Sequence, residues 1–113
     1  MALQFYGLKS CDSCRAAMKA LDAAGIGFAF HDVRRDGVPA AALRRALDDH
    51  GADRVVNRRS TTWRGLDAAA REGDPCDLLA AHPALMKRPL ILLEDGATII
   101  GWDDGARAAL GLA

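Results

Sequence analysis

The sequence has no net charge, because its 15 Lys and Arg residues balance 15 Asp and Glu residues. This balance indicates no basic surface of the kind that binds a phosphate backbone, so no nucleic-acid partner is expected. No apolar run approaches the roughly 18 residues of a membrane span, and the first residues lack the charged-then-apolar order of a signal peptide. These absences predict a protein of the cytoplasm with no membrane partner.

Cysteine is also scarce, with three residues in a chain of 113. Without an export signal, so few cysteines favour a reducing compartment and working thiols over structural disulfides. Half of the residues are apolar, which excludes a disordered chain, and the length suffices for one core but not two. We therefore predict a single domain over residues 1–113, without repeats, linkers or low-complexity segments.

Two of the cysteines, Cys11 and Cys14, form a C-x-x-C motif between a strand predicted over 3–6 and an alanine-rich helix predicted over 12–24. Cys11 is thus expected at or next to the helix N-terminus, where unpaired backbone N–H groups and the helix dipole favour thiolate over thiol. The thiolate is the form that attacks. Cys14 lies one turn later on the same face, so its sulfur can reach that of Cys11.

We interpret this motif as a redox pair, and Lys9 and Arg15 are close enough in sequence to help stabilise the thiolate. Two alternatives stay open for the pair, which are simple packing and half of a zinc site. A zinc site usually shows a second paired motif, and His31, His50 and His82 are too scattered to complete one. No metal is therefore expected.

The remaining pattern predicts an α/β chain. A second strand over 28–33 makes a right-handed parallel β-α-β unit with the first strand and helix. An apolar strand over 90–93, an Asp-Gly hairpin turn, a return strand over 98–101 and a last helix over 105–110 form a ββα second half. Between these halves, residues 36–86 are expected to form a helical insertion made of short pieces.

Within and beside this insertion the pattern of apolar and polar residues is weaker. Residues 34–37 have the composition of a turn, and a proline suits the first position of a helix over 39–50. Thr61 or Thr62 is expected to cap one short helix that continues to residue 69. Another short helix is predicted over 76–81.

These features resemble the thioredoxin fold, in which a C-x-x-C motif follows the first strand and a proline opens the third. The insertion, together with residues 85–90, resembles the ArsC/Spx family of arsenate reductase-like proteins. Residues 30–34 and 57–64 look closest to the small bacterial ArsC-like reductases proposed to use glutathione. The resemblance extends from Leu3 to Leu110 and implies a thioredoxin-like fold with a four-stranded mixed sheet.

The resemblance also implies roles for individual residues. In that family the cysteine after the first strand is the nucleophile, which here is Cys11. The arginine before the third-strand proline, here Arg88, helps to bind an oxyanion or to lower the thiol pKa. The proline itself, here Pro89, is typically cis and borders the active cysteine.

Arsenate reductases of this group use further arginines. One precedes the middle helical segment, where this chain has Asn57 followed by Arg58 and Arg59. Another follows the last strand, where this chain has Asp103 and Asp104 instead. Two carboxylates would repel an arsenate dianion, so this departure weighs against arsenate as the substrate.

Several other residues have two interpretations. Arg59 and Arg64 flank Trp63 and could cover the thiol or bind a glutathione carboxylate in a bidentate manner. The alternative is a charged helix surface with the tryptophan as its core anchor. Asn57 could hydrogen-bond a bound anion or hold a turn. Cys76 fits a buried packing residue better than a distant resolving thiol, since the C-x-x-C motif already supplies a partner.

The sequence thus predicts an enzyme, a thiol–disulfide reductase in which Cys11 attacks an oxidised substrate and Cys14 or glutathione resolves the adduct. No bound cofactor is expected. Glutathione is the expected co-substrate, and a glutaredoxin or thioredoxin is an expected partner. Two alternatives stay open. One is an arsenate reductase in which Arg88 and Arg59 hold the oxyanion. The other is an Spx-like regulator, whose Cys11–Cys14 disulfide would change its affinity for RNA polymerase.

Overall fold

In the computed structural model, which describes residues 3–112, four strands form one mixed sheet. They are β1 (Leu3–Gly7), β2 (Phe28–Asp32), β3 (Leu90–Leu92) and β4 (Thr98–Ile100). Their order across the sheet is β2–β1–β3–β4. The β1–β2 pair is parallel, and the β1–β3 and β3–β4 pairs are antiparallel. The predicted mixed sheet is confirmed, with β1 in an inner position.

The helices follow the predicted order, with most of them between β2 and β3. Among residues 3–112 they are α1 (Asp12–Ala23), α2 (Val33–Asp36), α3 (Ala40–His50), α4 (Ala52–Val55), α5 (Thr61–Arg64), α6 (Ala68–Arg71), α7 (Pro75–Ala81) and α8 (Asp104–Ala109), and a 3-10 turn covers Pro83–Leu85. None of these helices is long and apolar enough to cross a membrane.

The two faces of the sheet carry two separate hydrophobic clusters. Successive strand residues point to opposite faces, so Phe5 and Ile91 join the cluster shared with α1 and α8. Tyr6 and Leu90 join the cluster shared with α3, α4 and α7. Cys11 contacts both clusters, so the turn that carries it lies where the two layers meet.

The predicted turn over residues 34–37 is wrong, because residues 33–36 form helix α2. Asp32 causes the difference. Its Oδ1 accepts hydrogen bonds from the backbone N–H groups of Arg34 (2.9 Å) and Arg35 (3.1 Å). These N–H groups would otherwise lack a partner at the helix start. The helix stops at Gly37, whose φ of +71° is a conformation that favours glycine.

The predicted cap of the helix near Trp63 is also wrong. Ser60 is the N-cap, and its Oγ accepts the backbone N–H of Trp63 at 3.1 Å. The single helix expected to continue to residue 69 is two helices, α5 and α6. Asp67 divides them, since its Oδ1 caps the second helix by accepting the N–H of Ala70 at 2.7 Å.

Helices α1 and α3 add two details. The buried side chains of α1 are Cys14, Ala17 and Leu21, whereas Ala16 and Ala24 are exposed. Helix α3 starts at residue 40, so the preceding proline is its N-cap residue and not its first helical residue.

Candidate active site

The candidate nucleophile lies where β1 leads into α1. The backbone N–H of Cys11 donates to the carbonyl of Leu8 at 3.1 Å, which closes the turn. Cys11 has an extended backbone (φ −85°, ψ 126°) and is the N-cap residue of α1. Its carbonyl accepts the N–H of Arg15 at 3.0 Å. The thiol is therefore at the helix N-terminus, as the motif predicts, and it is partly exposed.

The pKa of Cys11 lies below its ordinary value. Burial acts to raise this pKa. Hydrogen bonding to the thiolate by the backbone N–H of Cys14, by its thiol and by the guanidinium of Arg88 lowers the pKa and outweighs burial. The positive charge of Arg88 lowers the pKa further. A lower pKa means that more of the sulfur is in the nucleophilic thiolate form near neutral pH.

The two cations next to the motif do not take this role. The Nζ of Lys9 lies 5.6 Å from the centre of the Phe30 ring. Arg15 pairs with Asp12, and its Nη1 donates to the carbonyl of Lys9 at 3.5 Å. Neither cation is among the groups that lower the pKa of Cys11, so their expected help to the thiolate stays a prediction.

Cys14 differs from Cys11 in every respect that governs reactivity. Its side chain is fully buried, and its Sγ accepts the backbone N–H of Leu8 at 3.5 Å. A Cβ placed on Gly7 would lie only 2.6 Å from this sulfur, so the glycine allows the backbone to pass close to it. Burial raises the pKa of Cys14 to about 12. Cys14 is thus a protonated hydrogen-bond donor, and both sulfurs are free thiols.

Arg88 comes from the other end of the chain, directly before β3. Its Nη1 donates to the carbonyl of Ala84 at 3.0 Å, which fixes the guanidinium. Its Nε is buried and has no hydrogen-bond partner among the side chains and backbone of residues 3–112. A buried donor without a partner costs about 1–3 kcal/mol. The peptide bond to Pro89 is cis, as the resemblance implies, and this proline is fully buried.

The insertion is joined to the segment before Arg88 by backbone hydrogen bonds. Val56 and Met86 form an antiparallel bridge. The N–H of Asn57 donates to the carbonyl of Leu85, and the N–H of Lys87 donates to that of Val55, each at 2.7 Å. Residues 55–57 therefore lie beside residues 85–87, which directly precede the arginine that lowers the pKa of Cys11.

Asn57 holds a turn in this position. Its Oδ1 accepts the backbone N–H of Arg59 at 3.1 Å, and its carbonyl accepts the Oγ of Ser60 at 2.8 Å. Of its two interpretations, the structure supports the turn. The same contacts place the exposed Arg59 beside the joined segments.

Trp63 is partly buried against the cluster shared with α3, α4 and α7, so it anchors the insertion. The guanidinium groups of Arg58 and Arg71 each lie 5.6 Å from the centre of its ring. Arg71 also donates to the carbonyls of Trp63 and Arg64, both at 3.2 Å. The side chain of Arg64 is exposed. The cations over the tryptophan ring are thus Arg58 and Arg71.

An open depression of about 530 Å³ lies at the surface of the joined segments. Its lining combines four cations with one carboxylate, one amide and one apolar side chain: Asp53, Arg54, Val56, Asn57, Arg58, Arg59 and Lys87. We call it the basic depression. Sequence reasoning identified Asn57 and Arg59 as candidates but missed Arg54 and Lys87, because only the pairing of the two segments brings them together.

The remaining candidates lie elsewhere. Cys76 is buried in α7 and packs in the same cluster as Leu79, which fits a packing role. His31 bonds Gln4 at 2.6 Å, and His50 bonds the carbonyl of Thr98 at 2.9 Å. Within the described part of the chain, no group of three His, Cys, Asp or Glu side chains is placed to hold a metal ion.

Comparison with known proteins finds related sequences and structures that extend over nearly the whole chain. A sequence model of the ArsC family matches residues 6–109. An uncharacterized protein of Haemophilus influenzae is 40% identical over 103 residues, which are 88% of this chain and 90% of that protein. The global transcriptional regulator Spx of Streptococcus pyogenes is 29% identical over 106 residues, 89% of this chain and 79% of the regulator. The solved structure of the YFFB protein superposes with a TM-score of 0.85 at 35% identity, covering 96% of this chain and 97% of that one.

Proposed function

The chain belongs to the ArsC family, and on this basis we propose that it is a thiol-dependent reductase of disulfides. One observation carries the proposal. Cys11 is a partly exposed thiol at a helix N-terminus, and Arg88 from the opposite end of the chain lowers its pKa. A thiol that only packs needs no such cation. An activated thiolate is what disulfide exchange requires.

In the first step the Cys11 thiolate attacks one sulfur of a disulfide R–S–S–R′. A bond forms between Cys11 and the sulfur of R, the substrate S–S bond breaks, and R′ leaves as a thiolate that takes a proton from water. Arg88 favours the attacking thiolate before this step. Its unpartnered Nε–H remains available as a donor at the site.

In the second step a thiol releases Cys11 from the mixed disulfide. Glutathione thiolate attacks the sulfur of R, Cys11 leaves as a thiolate, and the product is a disulfide between glutathione and R. The interactions that lower the pKa of Cys11 also make it a good leaving group. A glutaredoxin or thioredoxin would then reduce that product. The reducing cytosol is the compartment that suits this cycle.

Cys14 offers a second route to the same release. If its thiolate attacks Cys11, R leaves as a thiolate and a Cys11–Cys14 disulfide forms, which two external thiols must reduce. Burial and the pKa of about 12 keep Cys14 protonated, so this attack is slow near neutral pH. We therefore favour glutathione as the resolving thiol, with Cys14 as a hydrogen-bond donor to the Cys11 thiolate.

Replacing the nucleophile tests the proposal. Cys11→Ser should abolish reduction of a small disulfide by glutathione, while Cys76→Ala, which removes a thiol buried elsewhere, should retain most of it. Circular dichroism would establish that both variants fold. Full reductase activity in Cys11→Ser would refute the mechanism.

A regulator is a second candidate, and one observation favours it. The chain is 29% identical to an Spx regulator, and both interpretations use the C-x-x-C pair. In this case the Cys11–Cys14 disulfide would be a switch, without turnover, that changes affinity for the α-subunit of RNA polymerase. A pull-down with that subunit, comparing oxidised with reduced protein, distinguishes the regulator from the reductase.

Reduction of arsenate is the third use that the family suggests. The buried, unpartnered Nε of Arg88 favours an oxyanion at this site. Asp103 and Asp104 oppose it. The first of them caps α8 and lies 3.6 Å from Arg54, and both are exposed carboxylates. Turnover of arsenate with glutathione and glutaredoxin would decide the matter.

A further inference from the structure

We propose that the basic depression binds a carboxylate of the thiol co-substrate, held by Arg59 and Lys87. The ligand class is a small thiol that carries carboxylates several bonds from its sulfur, with glutathione as the representative. This inference rests on the proposed function and adds to it the residues that select the thiol.

The charges of the basic depression show which cations are available. Arg58 pairs with Asp53, and Arg54 lies 3.6 Å from a carboxylate oxygen of Asp103. These two arginines already have carboxylate partners. Arg59 and Lys87 are exposed, and their side chains have no recorded partner among residues 3–112. Two cations without partners in one depression are suited to a carboxylate.

The two cations are held at fixed places by the backbone. Lys87 donates its N–H to Val55 at 2.7 Å, and Asn57 donates its N–H to Leu85 at the same distance. The Oδ1 of Asn57 then accepts the N–H of Arg59 at 3.1 Å. Only the two side chains remain free to move, so little conformational entropy is lost when an anion binds.

The location of the basic depression determines the shape of the ligand. Lys87 directly precedes Arg88, whose guanidinium lowers the pKa of the Cys11 thiol. Cys11 itself does not line the depression. A ligand that uses both must therefore carry its thiol and its anion on separate groups. Glutathione is a tripeptide with its thiol in the middle and carboxylates at its ends, and it spans about 10 Å when extended.

The size of the depression suits a small ligand. Its volume of about 530 Å³ is in the range of small-molecule sites. Asp53 of the lining is already paired with Arg58, so the charges of Arg59 and Lys87 remain to attract a bound anion.

The proposal predicts a change in thiol preference. In the second step the glutathione thiolate forms a bond to the sulfur of R, and Cys11 leaves as a thiolate, as described above. The carboxylate takes no part in that exchange, so its binding should act on KM for the thiol more than on kcat. An exposed ion pair contributes up to about 1 kcal/mol, which is about fivefold in affinity.

The experiment measures reduction of a small disulfide by the full chain with two thiols. Glutathione carries carboxylates, and 2-mercaptoethanol carries none. For Arg59→Gln and for Lys87→Gln, the ratio of kcat/KM for glutathione to that for 2-mercaptoethanol should fall about fivefold, mainly through the KM of glutathione. Lys19→Gln removes an exposed cation from α1 and is the matched control. An unchanged ratio in the Arg59→Gln, Lys87→Gln double variant would overturn the proposal.

A binding measurement makes the test independent of turnover. S-methylglutathione keeps both carboxylates but has no free thiol. Its titration should shift the amide signals of Asn57, Arg59 and Lys87 in wild type and not in the double variant. Absence of these shifts overturns the carboxylate site even if glutathione supports turnover. Shifts in a protein that reduces no disulfide with either thiol support the site and refute the proposed reductase.

Discussion

The turn that carries the two cysteines and the segment that carries Arg88 are built differently. In the turn, Gly7, Leu8 and Cys14 are buried and pack directly on one another. The segment before β3 is held instead by backbone hydrogen bonds to the insertion, and its cations are exposed or only partly buried. The difference shows that close packing fixes the position of the thiols, whereas the cation that helps to lower the pKa of Cys11 comes from a separate segment of the chain.

The largest effect on this comparison should come from Gly7→Ala, which disturbs the packed turn. The added methyl group would lie 2.6 Å from the Sγ of Cys14 and 3.0 Å from a ring carbon of Phe5. Overpacking of this kind costs about 1–3 kcal/mol, and the thermal midpoint should fall by about 4–8 °C for each kcal/mol. Gly65→Ala is the control, because its nearest neighbours would be at an ordinary 3.6 Å. Equal midpoints for the two variants would show that the turn is not tightly packed.

A somewhat smaller effect, on rate rather than stability, should follow from Arg88→Gln. Loss of the cation raises the pKa of Cys11 and lowers the thiolate fraction at pH 7. A rise of one pKa unit lowers the thiolate fraction at pH 7 by up to about tenfold, and the reductase rate should fall with it. Because the thiolate fraction increases with pH, the rate of the variant should approach that of wild type at alkaline pH. If the midpoint of the pH–rate profile did not change, Arg88 would have no part in activating the thiol.

Removal of the cap of α5 should have a smaller effect, on the free energy of unfolding. Ser60→Ala removes the Oγ that accepts the N–H of Trp63, and loss of such a cap costs about 1 kcal/mol. Urea unfolding would measure this loss. The pKa of Cys11 should not change, since the cap belongs to the insertion and Arg88 keeps its own contact with Ala84. A shifted pKa would mean that the two parts are coupled more tightly than their contacts suggest.

The smallest effect concerns the hydrogen bond between the two thiols. Cys14→Ala removes a donor to the Cys11 thiolate, so the pKa of Cys11 should rise. Cys14→Ser retains an O–H donor and should restore part of the difference. Equal pKa values of Cys11 in wild type and both variants would mean that the thiol of Cys14 does not stabilise the thiolate.

The pH dependence of stability carries opposite signs for the two cysteines. The pKa of Cys14 is higher in the folded chain than in the unfolded chain. The unfolded state therefore loses this proton first, and Cys14 destabilises the fold as the pH rises above its ordinary pKa of about 8.5. The pKa of Cys11 is lowered, so its thiolate stabilises the fold above the unfolded pKa, and this contribution is lost as the pH falls.

The packed turn could be predicted from sequence because its signals are local. Alternating apolar residues end at Gly7, and the helical pattern that follows places Cys11 and Cys14 one turn apart. The role of Arg88 and the cis bond to Pro89 came only from the family resemblance. The effect of Arg88 on the thiol joins two segments that are remote in sequence, and no local pattern encodes it.

Other parts of the site could not be predicted, for identifiable reasons. Lys9 and Arg15 are near Cys11 in sequence, but their side chains contact Phe30 and Asp12. Arg71 reaches Trp63 from a separate helix, so spacing along one helix could not identify it. The basic depression depends on the bridge between residues 56 and 86, which brings two remote segments together.

The most direct test of the account is the pH dependence of alkylation of Cys11, followed by mass spectrometry in wild type and Arg88→Gln. The account predicts a Cys11 pKa below the ordinary value of about 8.5 in wild type and a higher value in the variant. An ordinary pKa that does not respond to the loss of Arg88 would contradict it. The chain would then retain the fold of the family without an activated thiol.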